Sequence, residues 1–153
     1  MKTVIFCSGC HFPISIIAGS IYMGKLPLNF QKGTLWDTFC SKELYKNIVD
    51  VVCCLGETPD GTRVMAFSAP SSGHLLGNLT STFLEINCII KKTYHVVEIP
   101  IHKSTLLSLG QMLLKWPITR PAGRRVIESC LEKIYPQLVQ AVKLDGNFQI
   151  SDN

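Results

Sequence analysis

The stretch TVIFCSGCHFPISIIA, residues 3–18, places an apolar run, a loop of small residues and a second apolar run in direct succession. Residues 3–6 predict a buried strand, and residues 14–18 predict the first turns of a helix. Between them, the loop from Cys7 to His11 brings two thiols and an imidazole to the junction. The end of a parallel strand that leads into a helix is where α/β proteins usually bind anions.

Predicted strands and helices alternate along the rest of the chain. Apolar, largely β-branched runs predict further strands at residues 48–55, 63–67 and 94–99, and Asp60-Gly61 predicts a hairpin turn between the first two. The other predicted helices begin near Thr34, Pro70 and Ser104, and a last one covers residues 121–144 with a break or kink at Pro136.

This order of elements predicts an α/β fold. We expect a three-layer α/β/α sandwich on a short, mostly parallel sheet that carries one antiparallel hairpin strand. A single domain is expected over residues 1–146, followed by a loose C-terminal tail over residues 147–153. No repeat, linker or low-complexity segment divides the chain.

The composition excludes several classes of protein. With 46% hydrophobic and 17% charged residues, the chain is more apolar than an average domain, as a covered parallel sheet or a homo-oligomer with a buried contact would be. No run of eighteen apolar residues predicts a membrane span. The apolar N-terminal run breaks at Cys7, so a strand rather than a secretory signal is expected, in a cytoplasmic protein. The net charge of +4 forms no basic patch interleaved with aromatics that would indicate nucleic acid.

The seven cysteines are odd in number and irregularly spaced. In a reducing compartment most of them are expected to be buried thiols that behave as small hydrophobic residues. This interpretation covers the four that lie inside apolar segments, namely Cys53, Cys54, Cys88 and Cys130.

The loop after the first strand is the first candidate site, and its predicted ligand is a phosphate-bearing or otherwise anionic small molecule. Backbone N–H groups from Gly9 to Ile14, the helix dipole and the Ser15 hydroxyl would bind it, although Pro13 donates no N–H. The candidate ligand-binding residues here are Cys7, Ser8, Gly9, Cys10, His11 and Ser15. No Gly-Lys-Ser/Thr sequence closes this P-loop-like turn, so a Walker-type nucleotide site is not predicted. A plain strand-to-helix turn is the alternative.

The same residues support a thiol function. A Cys-x-x-Cys pair at a helix N-terminus has one thiolate favoured by the dipole, and His11 adjoins it. Cys7 and Cys10 also supply two of the four ligands that zinc needs, with His11 as a weaker third. Covalent haem attachment would require export, which the N-terminus does not indicate.

Two further groups are candidate helpers at the ligand site. Arg120, Arg124 and Arg125 surround a predicted helix N-terminus, although a solvated helix start paired with Glu128 and Glu132 is the simpler interpretation. Ser72 and His74 follow the second hairpin strand, in a loop that an α/β sheet would place near the Cys7 loop.

Three segments resemble a known family: the first strand with its small-residue loop, the helix ending IYMGKLP at residues 21–27, and the hairpin DGTRV at residues 60–64. They are similar to small uncharacterised bacterial proteins, mainly from spore-forming Firmicutes, that are classed as a domain of unknown function. That family has a loop rich in Gly, His and Ser and a helix closing with Gly-x-Leu-Pro. This chain differs at residues 10–13 and at Tyr22, where the family tends to have His. The resemblance implies the fold and a loop-centred site, and no reaction or cofactor.

Three classes of function therefore remain open from the sequence. The first is a binding protein or enzyme for an anionic ligand at the loop from Cys7 to Ser15. The second is a thiol redox or metal-sensing protein that uses Cys7 and Cys10. The third is a non-catalytic interaction or regulatory module, whose contact surface would account for the high apolar content.

Overall fold

A computed structural model describes residues 2–10, 12–38, 52–68, 94–101 and 104–145 of the 153-residue chain. Four strands lie within these ranges: β1 (Thr3–Ser8), β2 (Val52–Glu57), β3 (Arg63–Ser68) and β4 (Tyr94–Ile99). They form one sheet in the order β2-β3-β1-β4, in which β1 is parallel to β3 and β4 while β2 is antiparallel to β3. The predicted α/β class, with a mostly parallel sheet and one antiparallel hairpin strand, is confirmed.

β1 takes an inner position because its side chains are apolar on both faces of the sheet. Val4 and Phe6 lie on one face and Ile5 and Cys7 on the other, and all four are buried. The same alternation assigns Ser8 to the face of Val4 and Phe6. A polar residue therefore ends the strand on the side where the main core lies.

β2 lies at the edge of the sheet, which corrects the prediction of a buried strand over residues 48–55. Val52 is 54% exposed and Cys54 is exposed, so Cys54 is not the buried thiol that its apolar neighbours predict. Cys53 is half-buried, and this burial raises the pKa of its thiol. The error has a simple cause, because an apolar β-branched run is compatible with both inner and edge strands. Residues 48–51 and Cys88 lie outside the described residues.

Four helices lie in the described ranges: α1 (Ile14–Tyr22), α2 (Thr34–Thr38), α3 (Thr105–Leu114) and α4 (Arg120–Asp145). Ser104 caps α3 as predicted, because its hydroxyl accepts a hydrogen bond from the amide of Leu107 at 3.3 Å. α4 is continuous through Pro136, so the helix is not interrupted there. No helix in these ranges has the length and apolar character needed to cross a membrane. The helix predicted from Pro70 and the tail predicted over residues 147–153 lie outside the described residues.

The turn between β2 and β3 has the structure that Asp60-Gly61 predicts. Gly61 has a φ of +79°, in the left-handed region that favours glycine. The Asp60 carboxylate accepts hydrogen bonds from the hydroxyls of Thr58 and Thr62, which lower its pKa. Burial and the nearby Asp60 charge raise the pKa of Tyr22, at the end of α1. The turn therefore lies close to the C-terminal end of α1.

The main core fills the space between one face of the sheet and helices α1, α3 and α4. Ile17 from α1, Leu107 from α3 and Leu131 from α4 are fully buried there, in the same apolar cluster as Val4 and Phe6 of the sheet. α3 and α4 approach closely because Gly110 and Gly123 face each other. A Cβ atom added at Gly123 would lie 2.9 Å from the carbonyl oxygen of Gly110. This core fixes the position of the α1 N-terminus over the end of β1.

Candidate functional site

The order of the strands reverses at β1, whose carboxyl end is therefore the place where a ligand is expected. The chain passes from β1 to β3 on one side and then from β3 back across to β4 on the other. In open α/β sheets, ligands bind outside the carboxyl ends of the strands where the order of connection reverses in this way. In the register of the sheet, Ser8 lies opposite Ser68 of β3 and Ile99 of β4. Two serines therefore end neighbouring parallel strands at the expected crevice.

Three buried serine hydroxyls meet at this point and form what we call the serine cluster: Ser8, Ser15 and Ser68. The Ser68 oxygen lies 3.1 Å from the Ser8 oxygen and 2.6 Å from the Ser15 oxygen. Their exposed fractions are 1%, 0% and 3% in chain order. Three hydroxyls carry three protons, and the two hydrogen bonds between them use two. Within the part of the chain that the structure describes, one proton is left to donate to a group outside the cluster.

The serine cluster adjoins the N-terminus of α1. Ser15 is the second residue of this helix, and the first turn contains no acidic side chain and no side-chain cap. The positive end of the helix dipole therefore meets the hydroxyls without a negative group from its own first turn. The predicted cradle of backbone N–H groups is smaller than the sequence indicates, because the Ile14 amide donates to the Phe12 carbonyl at 2.7 Å. The spare proton of the serine cluster is a further donor close to this end of the helix.

The two loop thiols lie on different sides of the sheet. Cys7 is buried with Ile5 and is packed against Phe67, on the face opposite the main core. Cys10 is buried in the main core, and the two cysteines are not joined by a disulfide. Gly9 between them is also buried. Among the residues with a described position, no group of three or more His, Cys, Asp and Glu side chains is arranged to hold a metal ion.

The arginine group predicted at residues 120–125 is divided between two clefts. Arg120 and Arg124 line a cleft of about 380 Å³ together with Trp36 and Glu128. The Arg124 guanidinium carbon lies 5.2 Å from the centre of the Trp36 ring, a cation–π contact. Arg125 lines a different cleft, on the side of α3. Consecutive residues of a helix point about 100° apart, so Arg124 and Arg125 diverge.

The two glutamates of α4 have partners other than the arginines. Glu128 accepts a hydrogen bond from the Trp36 indole at 2.7 Å and one from the Gly33 amide at 3.3 Å. Glu132 forms an ion pair with Lys32 at 3.5 Å. Both carboxylates of α4 therefore contact the segment that contains α2 and hold it against α4.

The structure brings two of the predicted site residues together. Ser8 and Ser15 meet in the serine cluster, whereas His11, Ser72 and His74 lie outside the described residues. Ser68 is the member that sequence reasoning missed. The alternation of Val64, Ala66 and Ser68 on one face of the strand is the signal that indicates it.

The sheet, its covering helices and the hydroxyl cluster at its carboxyl edge define an α/β protein with a polar site at the end of an inner strand. A family model described as "Protein of unknown function (DUF3189)" matches residues 3–144, so the chain belongs to this family. The resemblance to a domain of unknown function is thereby confirmed. No curated protein and no solved structure gives a significant match to the chain.

Proposed function

We propose that this protein binds a small anionic ligand at the serine cluster, at the carboxyl end of β1. The proposal rests on the one hydroxyl proton that is not used in hydrogen bonds within the cluster. Among the described residues this proton has no acceptor outside the cluster, and an anionic oxygen would accept it where a buried donor is otherwise costly. A phosphate-bearing molecule is the preferred class of ligand, because its charged oxygens are acceptors that the positive end of the α1 dipole favours.

The electrostatics of the site support a negative ligand. The positive end of the α1 dipole faces the cluster, and the helix offers no acidic side chain in its first turn. Burial strengthens hydrogen bonds to an anion because water competes less for the donors. Cys10 and Gly9 border the cluster in sequence on one side, and Ser72 and His74 follow Ser68 on the other, so they are further candidate contacts.

The thiol alternative receives less support. A redox pair needs two thiols that reach each other, whereas Cys7 and Cys10 belong to core clusters on different faces of the sheet. A metal-sensing role would need ligands beyond these two. Cytoplasmic location and an origin in spore-forming Firmicutes remain predictions, and the proposal depends on neither.

The test compares two serines of the same helix. Ser15→Ala removes a hydroxyl from the cluster, and Ser20→Ala removes a similarly buried hydroxyl at the other end of α1. Inorganic phosphate, pyrophosphate and adenosine mono-, di- and triphosphate are the probes, with chloride at equal ionic strength as the control. We expect at least one probe to raise the melting temperature of the wild type and of Ser20→Ala, since binding stabilises the folded state.

The same probe is expected to give Ser15→Ala no such rise relative to its own unliganded form. Isothermal titration calorimetry then measures the affinity of each variant for that probe. The proposal is wrong if no probe shifts the wild type, or if Ser15→Ala binds as tightly as Ser20→Ala.

A further inference from the structure

The helix α3 is apolar on its outer side as well as on its inner side. Its sequence, TLLSLGQMLL, contains no charged residue. Leu107, Leu114 and Gly110 face the core, yet Leu106 and Met112 are each 55% exposed and Leu109 is 44% exposed. A surface helix normally has a polar outer face, and a helix that is apolar all round is normally buried on all sides.

The exposed residues belong to one surface. Residues 106, 109 and 112 are spaced three apart and therefore follow one side of the helix. Trp116 and Ile118 continue the exposed apolar area into the turn between α3 and α4, where they are 68% and 94% exposed. We call these five residues the outer α3 surface. Apolar surfaces of this kind commonly mark interaction sites.

A cleft of about 300 Å³ runs beside this surface, between α3 and α4. Leu106, Val126 and Cys130 give it an apolar lining, and Arg125 and Lys133 supply positive charge. Its described lining contains no carboxylate. The α4 glutamates are occupied elsewhere, since Glu128 binds Trp36 and Gly33 and Glu132 binds Lys32. The surface therefore combines an apolar stripe with a basic border.

These charges discriminate between the possible occupants. A second copy of the chain, docked through the same surface, would bring Arg125 and Lys133 toward the same two cations, and the described lining offers no carboxylate to pair them. A flat lipid surface would leave the cleft unfilled. An amphipathic helix with acidic residues beside its apolar anchors would fill the cleft and neutralise the border, as in helix-in-groove recognition. We propose that the outer α3 surface docks an acidic amphipathic helix of a partner protein.

The experiment uses two synthetic peptides of about 18 residues, long enough to hold a helix. Both carry leucines at the same i, i+3, i+4 and i+7 positions, and the remaining positions are mostly Glu in one peptide and Lys in the other. Calorimetric titration into the full-length protein is expected to show binding of the acidic peptide at least about tenfold tighter than of the basic one. This preference should decrease between about 50 and 300 mM salt, because salt screens exposed charges.

Charge reversal locates the binding site. The double variant Arg125→Glu/Lys133→Glu is expected to weaken the acidic peptide about tenfold and to gain affinity for the basic one. The variant Lys2→Glu/Lys143→Glu makes the same change in net charge at two exposed lysines away from the cleft, and should bind like the wild type. Leu109→Ser is expected to weaken the acidic peptide without unfolding the protein, because Leu109 is not part of the core.

Four results would overturn the proposal. They are equal binding of the two peptides, loss of binding in the Lys2→Glu/Lys143→Glu control, a dimer in sedimentation analysis that Leu109→Ser dissociates, and binding to phosphatidylserine–phosphatidylcholine vesicles without binding to either peptide. None of them bears on the serine cluster, which shares no residue with this surface. The two proposals therefore fail or succeed independently.

Discussion

The serine cluster and the outer α3 surface depart from the usual distribution of side chains in opposite directions. The cluster buries three hydroxyls at the end of a sheet, whereas the α3 surface exposes leucines, a methionine and a tryptophan. Buried polar groups and contiguous exposed apolar groups are each uncommon and each costly. The buried hydroxyls suit a small polar ligand that contacts a few atoms. The exposed apolar surface of α3 suits a partner that covers a broad face.

The largest expected effect comes from two leucines of the same helix. Leu107→Ala removes a fully buried side chain from the core and should lower the free energy of unfolding by about 2–5 kcal/mol. Leu109→Ala, two residues further along, should change it by less than about 0.5 kcal/mol, because its side chain is exposed. Urea unfolding followed by circular dichroism measures both.

This pair tests whether the outer side of α3 is free of intramolecular contacts. If Leu109→Ala destabilised the chain as strongly as Leu107→Ala, the chain itself would cover that face. The outer α3 surface would then not be available to a partner, and the proposal that it docks a helix would be wrong.

A smaller effect is expected within the serine cluster. Ser68 contacts both other hydroxyls, whereas Ser8 contacts only Ser68. Ser68→Ala should therefore lower the free energy of unfolding by about 1–3 kcal/mol, and Ser8→Ala by less, because Ser15 and Ser68 keep their bond. Thermal and urea unfolding of the unliganded variants measure the difference. A larger loss for Ser8→Ala would mean that Ser68 is not the centre of the cluster.

Local signals explain why most of the fold was predictable. β1, β3, β4, the hairpin turn and the Ser104 cap each have their signature within a few adjacent residues. The position of β2 at the edge of the described sheet has no such signature, because an apolar β-branched run fits an inner strand and an edge strand equally well. The sequence also does not predict that the outer α3 surface is exposed, since leucines occur on both sides of the helix and do not indicate which side is covered.

The candidate site was predictable only where it lies within one motif. Ser8 and Ser15 belong to the loop that the sequence singles out, but Ser68 lies 60 residues beyond Ser8. The bond between Trp36 and Glu128 spans 92 residues, so the sequence pairs Glu128 with arginines on its own helix instead. Long-range contacts of this kind follow from how α4 packs, which no short pattern encodes.

The last expected effect concerns a buried hydroxyl that is satisfied within the chain, in contrast to the serine cluster. Tyr135 of α4 donates a hydrogen bond to the Pro27 carbonyl at 2.5 Å, and burial raises the pKa of Tyr135 to about 12. An unfolded tyrosine has a pKa of about 10, so the fold stabilises the protonated hydroxyl. The stability that this provides is complete below pH 10 and is lost as the pH rises from 10 to about 12.

Tyr135→Phe keeps the ring and removes this hydroxyl. It should cost about 1 kcal/mol at pH 8, where the lost hydrogen bond is the main difference from the wild type. Above pH 10 the wild type should lose stability faster than the variant, so the difference between them shrinks. Urea unfolding from pH 8 to 11.5 measures this difference, and the raised pKa of Tyr22 cancels from it because both proteins contain that residue. A difference independent of pH would show that Tyr135 has the same pKa in the folded and unfolded states.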